Sequence, residues 1–272
     1  MIALFDSGYG GLTIFSAVRG LLPQYDYIYL GDNARTPYGS RSFDVVYRFT
    51  LEAVRTLFDL GAELVILACN TASAKALRTI QQNDLPRLDP SGRKRVLGII
   101  RPSVEALGAL TRSGHVGIMA TAGTVTSQSY VIEMARLWPA VRVSQQACPL
   151  WVPLVECGEF DKPGADYFVR KYVSELLGQD GAIDAVMLAC THYPLLAPKI
   201  AAELPGGVRL LTQGDIVARS LAGYLARHAE LERTLPRGGT ARFFTTENPD
   251  KFAGTAGLFF DGDLSVRHID MA

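Results

Sequence analysis

Two cysteines, Cys69 and Cys190, close nearly identical segments of this chain. Glu63-Leu64-Val65-Ile66-Leu67-Ala68-Cys69-Asn70-Thr71 is echoed by Asp184-Ala185-Val186-Met187-Leu188-Ala189-Cys190-Thr191-His192. In each, an acidic residue opens a short apolar run, the run ends in Leu-Ala-Cys, and two polar residues follow. An apolar run of this length, rich in branched side chains, reads as a buried parallel strand. The thiol then stands at the strand's carboxyl end, where open α/β sheets place their ligands. Two such units facing each other aim one thiol at each side of a bound molecule. The chemistry implied is movement of a proton across a carbon centre, with one thiol as base and the other as acid. A free thiol titrates near ~8.5, and a neighbouring helix N-terminus or cation lowers that value. Both cysteines stand where a helix is expected to begin, so both are expected to gain thiolate character.

Further groups fall at the same kind of place. Asp6 ends the first apolar run and is expected beside Cys69 if their strands are neighbours; it would equally suit a cap on the following helix. His192, two residues beyond Cys190, is placed to exchange a proton with the thiol or with a substrate, its unperturbed pKa being near ~6.5. The short polar side chains of Ser7, Asn70, Thr71, Thr121, Thr124 and Thr191 occupy strand–helix junctions. With backbone N–H groups they can hold carboxylates without a fixed positive charge, which suits an acidic amino acid. Glu156 is within plausible reach of a substrate ammonium or of His192. Cys148 and Cys157 lack the duplicated setting and read as small buried hydrophobes.

The elements that must position these groups alternate strand and helix throughout, which calls for parallel sheets. A strand from Ile2 to Phe5 enters Asp6-Ser7-Gly8-Tyr9-Gly10-Gly11-Leu12-Thr13, then a helical pattern of Leu12, Phe15, Val18 and Leu22. This loop is not the dinucleotide fingerprint, because Thr13 stands where its last glycine belongs. It also lacks the Gly-Lys-Ser/Thr ending of a P-loop. A strand from Tyr27 to Leu30 follows, then a helix from about Phe43 to Leu60 stopped by Gly61. Gln81 to Arg95 reads as a surface connection. Val116 to Thr124 restarts the pattern, with Thr121 at the place of Ser7, and Val141 to Ala147 suits another strand. A helix from about Gly164 to Leu177 precedes the second Leu-Ala-Cys run, and one from Ile216 to Ala229 follows it. The fold class expected is α/β. Two pseudo-symmetric domains, each a mostly parallel sheet flanked by helices, enclose a cleft. Residues 1–97 with 209–272 would form the first domain and 98–208 the second.

At 272 residues the chain can hold two such domains. Lysine plus arginine equals aspartate plus glutamate at 27 each, so no global field draws it to nucleic acid or an anionic membrane. Met1 leads straight into Ile2-Ala3-Leu4-Phe5 with no basic n-region, and no apolar stretch approaches the ~20 residues of a membrane span. A cytoplasmic location is expected, where thiols stay reduced. No lysine sits in a recognisable pyridoxal phosphate context and no metal-ligand spacing occurs, so catalysis is expected to need neither cofactor nor metal. From the residues alone, racemisation of several amino acids and a non-catalytic binding role both stay open.

The motifs also carry a resemblance. Phe5-Asp6-Ser7-Gly8 with Gly10-Gly11-Leu12-Thr13, Gly31-Asp32 with Ala34-Arg35 and Pro37-Tyr38-Gly39, Ala68-Cys69-Asn70-Thr71-Ala72-Ser73, Ala147-Cys148-Pro149-Leu150 with Pro153-Leu154-Val155-Glu156, and Cys190-Thr191-His192-Tyr193-Pro194-Leu195 run from end to end. Together they resemble the glutamate racemases of the cofactor-independent aspartate/glutamate racemase superfamily. The resemblance implies a two-domain α/β enzyme, working as a homodimer, that converts L-glutamate to D-glutamate for peptidoglycan. It implies Cys69 and Cys190 as proton-transfer thiols assisted by Asp6 and His192. Ser7, Tyr38, Gly39, Asn70, Thr71 and Thr191 would hold the substrate. Two segments depart from the family pattern. Thr212-Gln213-Gly214 stands where Asp-Ser/Pro-Gly is usual, and Arg101 stands where Glu or Lys is usual.

Overall fold

The ten strands of the described residues, in chain order, are Ile2–Asp6 (β1), Tyr27–Gly31 (β2), Leu64–Leu67 (β3), Arg95–Gly98 (β4), His115–Ala120 (β5), Arg142–Ala147 (β6), Ala185–Ala189 (β7), Arg209–Leu211 (β8), Ala241–Thr245 (β9) and Val266–His268 (β10). The computed structural model describes residues 1–262 and 264–271. The strands form two sheets, in the orders β10-β9-β2-β1-β3-β4 and β6-β5-β7-β8. Every pairing is parallel. That fits the sequence: β1, β3 and β7 are apolar almost throughout and buried along their whole length, as strands covered on both faces must be.

The two faces of β1 show what covers them. Ile2 and Leu4 pack with Leu12, Phe15 and Val18 of the helix Gly11–Leu21. Ala3 and Phe5 pack on the other side with Val46, Val54 and Leu57 of the helix Phe43–Asp59. Full burial of each such aliphatic side chain is worth about 1.5–3 kcal/mol. The second helix opens on Ser42, whose hydroxyl accepts the Val45 N–H at 3.4 Å. It ends at Leu60, and Gly61 follows at φ +94°, a conformation that any side chain would strain. In the second sheet Val116, Ile118 and Ala120 face Val104 and Leu107 of the helix Ile100–Leu110 and Tyr130 and Met134 of the helix Ser129–Leu137. Met119 turns the other way and joins Val169, Val173 and Leu176 of the helix Pro163–Gln179.

The strand orders locate the crevices. The chain passes from β1 to β2 on one side and then returns to β3 on the other, so the order reverses between β1 and β3. It repeats the manoeuvre from β5 to β6 and back to β7. Reversal points at the carboxyl ends of parallel strands are where such sheets bind ligands. Asp6 and Cys69 flank the first crevice, and Thr121 and Cys190 flank the second.

Two sequence expectations need correction. Gln81 to Arg95 is not a plain connection: helical turns continue to Leu88, and Arg95 opens β4 against β3. Nor does the chain return to the first sheet at Arg209, because β8 pairs with β7 and completes the second sheet. The return comes afterwards. The helix Gly214–Arg227 runs close beside Gly11–Leu21, where a Cβ on Gly214 would sit 3.1 Å from that of Ala17, and β9 and β10 then extend the β2 edge. Among the described residues no helix is long and apolar enough to cross a membrane.

Candidate active site

At the first crevice, Cys69 follows β3 directly; Ala68 still bonds to Phe5, its N–H donating to that carbonyl at 2.8 Å. The thiol caps the six-residue helix Asn70–Lys75, its Sγ accepting the Ala72 N–H at 3.5 Å, and lies 3.3 Å from Ser7 Oγ. Asp6 is fully buried at the tip of β1 and accepts the Gly8 N–H at 2.9 Å, so it folds the loop that follows. Burial pushes its carboxyl above the usual carboxylate range, while the neighbouring His192 opposes the rise.

At Cys69 the expected lowering of the thiol pKa is not what the surroundings produce. Burial, with the Asp6 carboxylate adding to it, pushes Cys69 up to about 12, against the pull of Ser7 and the Ala72 N–H. A helix of under two turns offers too little dipole to outweigh that desolvation. Cys190 does not cap a helix at all. A 3-10 turn, Tyr193–Leu196, begins only after His192 and leads into the helix Ala197–Glu203.

The second crevice is built around His192, of which 5% is exposed. Its Nδ1 lies 3.9 Å from Cys190 Sγ, and its Nε2 lies 2.9 Å from Glu156 Oε1. Burial opposes a charge on the ring, yet the bonds to Cys190 and Glu156 prevail and carry His192 up to about 10. The surroundings therefore favour the protonated ring over one titrating near neutrality. The halves meet over Asp6: Thr191 donates to its Oδ1 at 3.5 Å, and Thr13 donates to the Thr191 carbonyl at 3.3 Å. Gly10 is obligatory in this seam, because a Cβ there would lie 2.6 Å from His192 Nδ1 and closer still to Thr191 Oγ1.

A wall of hydroxyls spans the crevices. Thr71 Oγ1 lies 3.0 Å from Thr121 Oγ1 and 3.4 Å from Thr124 Oγ1, and the Gly123 N–H donates to the Gly39 carbonyl at 2.8 Å. Beside this wall opens a cavity of about 470 Å³ whose lining includes Gly39, Arg41, Lys75, Gly123 and Ser127. Thus Asp6, Ser7, Gly39, Thr71, Thr121, Thr124, Glu156, Thr191 and His192 gather with the two thiols. Tyr38 and Asn70 each follow or precede a site residue in the chain but have their polar atoms engaged elsewhere, Tyr38 donating to Asp32 and Asn70 facing Gln213 and Tyr130. Of the remaining cysteines, Cys148 is buried as expected, whereas Cys157 is exposed, at the end of the short helix Trp151–Glu156. Sequence reasoning missed Gln213, Tyr130 and Ser103 as neighbours of the site. The departure at Thr212-Gln213-Gly214 was the available signal.

Comparison with known proteins agrees with this architecture. A family model described as Asp/Glu/hydantoin racemase matches residues 13–221. A glutamate racemase of Geobacter metallireducens is 39% identical over 264 residues, 97% of this chain and 93% of its own length. The crystal structure of a glutamate racemase isoform from Bacillus anthracis superposes with a TM-score of 0.90 at 32% identity, covering 100% of this chain and 97% of that one. That of the Francisella tularensis enzyme, in complex with D-glutamate, superposes at 0.86 with 29% identity, covering 99% and 97%.

Proposed function

The chain belongs to the Asp/Glu/hydantoin racemase family, and from that premise we propose that Cys69 and Cys190 exchange the α-proton of glutamate, one on each face of the carbon. The reaction interconverts L- and D-glutamate, the D form serving peptidoglycan. The observation that carries the reading is the pair of thiols at equivalent strand ends, joined through Asp6, Thr191 and His192.

In one direction a thiolate takes the α-proton, and the C–H electron pair passes into the α-carboxylate as an enediolate. The opposite S–H then delivers its proton to the other face. The two thiols finish with their protonation states reversed, and Asp6 and His192 return them to the starting state by proton exchange. The Ser7, Thr71, Thr121, Thr124 and Thr191 hydroxyls and the Gly39 backbone receive the two carboxylates. Tyr38 and Asn70 support this set from behind. A substrate ammonium lowers the cost of a thiolate in a buried cleft, which is the condition that the high value at Cys69 imposes. Glu156 holds the imidazolium of His192. The reading extends to a cytoplasmic homodimer with glutamate as its substrate, needing no cofactor or metal and engaging neither nucleic acid nor membrane.

Circular dichroism of purified protein mixed separately with L-Glu, D-Glu, L-Asp and L-Ala tests the substrate assignment. Both glutamate signals should decay to zero without additives, while aspartate and alanine hold theirs. Decay of aspartate at a comparable rate, or a reaction that appears only when pyridoxal phosphate or a metal is supplied, would overturn it.

A further inference from the structure

We propose that Gln213 is a positioning residue that sets the Cys69 half of the reaction from the other sheet; the proposal rests on the two-thiol reading. Gln213 lies in the loop between β8 and the helix Gly214–Arg227 and is 2% exposed. Its Nε2 lies 2.7 Å from Ser103 Oγ, 3.1 Å from Tyr130 Oη and 3.2 Å from Asn70 Oδ1. Its Oε1 accepts from Asn70 Nδ2 at 2.6 Å, and Tyr130 donates to Asn70 Oδ1 at 2.7 Å.

The network has one self-consistent orientation. Ser103 spends its hydrogen on the Ile99 carbonyl at 2.7 Å, so toward Gln213 it can only accept. The Gln213 amide must therefore turn its nitrogen to Ser103 and its oxygen to Asn70. Asn70 in turn must present its amide nitrogen to Gln213 and its oxygen to Tyr130. A buried network with every member satisfied is rigid, and its geometry is unique.

Three of its four members, Ser103, Tyr130 and Gln213, come from elements around the second sheet. Asn70 alone comes from the first, and it is the residue after Cys69 and the first of the helix that the thiol caps. Fixing Asn70 fixes that helix start and hence the Sγ direction. Cys190 is oriented by a separate pair, His192 and Glu156. Disturbing Gln213 should therefore fall unequally on the two thiols. Serine or proline, the residues of the family pattern at this place, could not bridge Ser103 to Asn70. Other contacts between the sheets survive without it, including the Ser129 hydroxyl donating to the Ala74 carbonyl at 3.1 Å, so the variant is expected to fold.

The test uses elimination of HCl from each enantiomer of 3-chloroglutamate. One thiolate removes the α-proton, the C–H electrons expel chloride, and the enamine hydrolyses to 2-oxoglutarate and ammonium, so a single thiol suffices. Gln213→Met, of similar volume but without donors or acceptors, is placed in the Cys190→Ser background, where Cys69 acts alone, and in the Cys69→Ser background, where Cys190 acts alone. Elimination should fall about 10-fold or more in the first and under about 3-fold in the second. Gln213→Ser gives the same comparison if the methionine variant cannot be purified folded. Equal losses in both backgrounds, or a lowered melting temperature with unchanged rates, would mark a merely structural role and overturn the proposal. If neither single-cysteine parent eliminates from either enantiomer, the two-thiol reading falls before Gln213 is touched, and the proposal with it.

Discussion

On the two-thiol proposal, Cys69→Ser and Cys190→Ser should each lower glutamate racemisation by about 10³-fold or more, because each removes the group assigned to the proton on one face. A serine hydroxyl fits the space of the thiol, and in Cys69→Ser the new oxygen would still be positioned to accept the Ala72 N–H, so both variants should fold. The hydroxyl proton is far too weakly acidic to be lost, and its alkoxide is far too basic to form in a site where burial already holds a thiol up to about 12. Elimination, needing one base and no returned proton, should persist in both, and on opposite enantiomers of the chlorinated substrate. The family resemblance assigns Cys69 to the D form and Cys190 to the L form, so Cys69→Ser should keep elimination from L. Retention of full racemase activity by either variant, or activity of both on the same enantiomer, would be incompatible with one thiol per face.

Replacing His192 by asparagine should lower kcat by about 10²–10⁴-fold, the usual range for loss of a positioned acid–base group. The pH profile of Glu156→Gln separates charge from shape. Below about 10 the wild-type ring is cationic, held there by Cys190 and Glu156 against burial. Removing the carboxylate leaves desolvation less opposed, so the ring loses its proton at lower pH. The alkaline limb of the bell-shaped rate profile should therefore move down by about one unit. Titration of the substrate ammonium is common to both proteins and cancels in the comparison. An alkaline limb that stays in place, or a rate that climbs steadily through pH 10 in the wild type, would show that no imidazolium is required.

How far these residues were legible in the sequence depends on how local their cause was. The Leu-Ala-Cys runs announced β3 and β7 because strands buried on both faces need unbroken apolar sequence, and the polar residues after them marked the strand ends. β4 escaped notice because only Val96 and Leu97 separate Arg95 from Gly98, behind a polar stretch. β8 was given to the wrong sheet along with the rest of residues 209–272, since strand neighbours are a tertiary property. Thiol acidity was misjudged for a similar reason. The helix start beside Cys69 is visible in sequence, whereas the desolvation that outweighs it is not. Asn70 and Thr71 looked alike as short polar residues; only their placement shows one turned into the Gln213 network and the other into the threonine wall.

One measurement addresses two-face proton transfer most directly. L-glutamate is incubated with the wild-type protein in heavy water, and both enantiomers are separated at under about 5% conversion, before the thiol pools can mix the label. If the proton leaves to one thiol and returns from another, the D-glutamate formed carries deuterium at the α-carbon in every molecule, while the remaining L-glutamate carries none. D-glutamate that retains the original protium in a substantial share of molecules would mean that one group both removes and returns the proton, contrary to the roles assigned to Cys69 and Cys190.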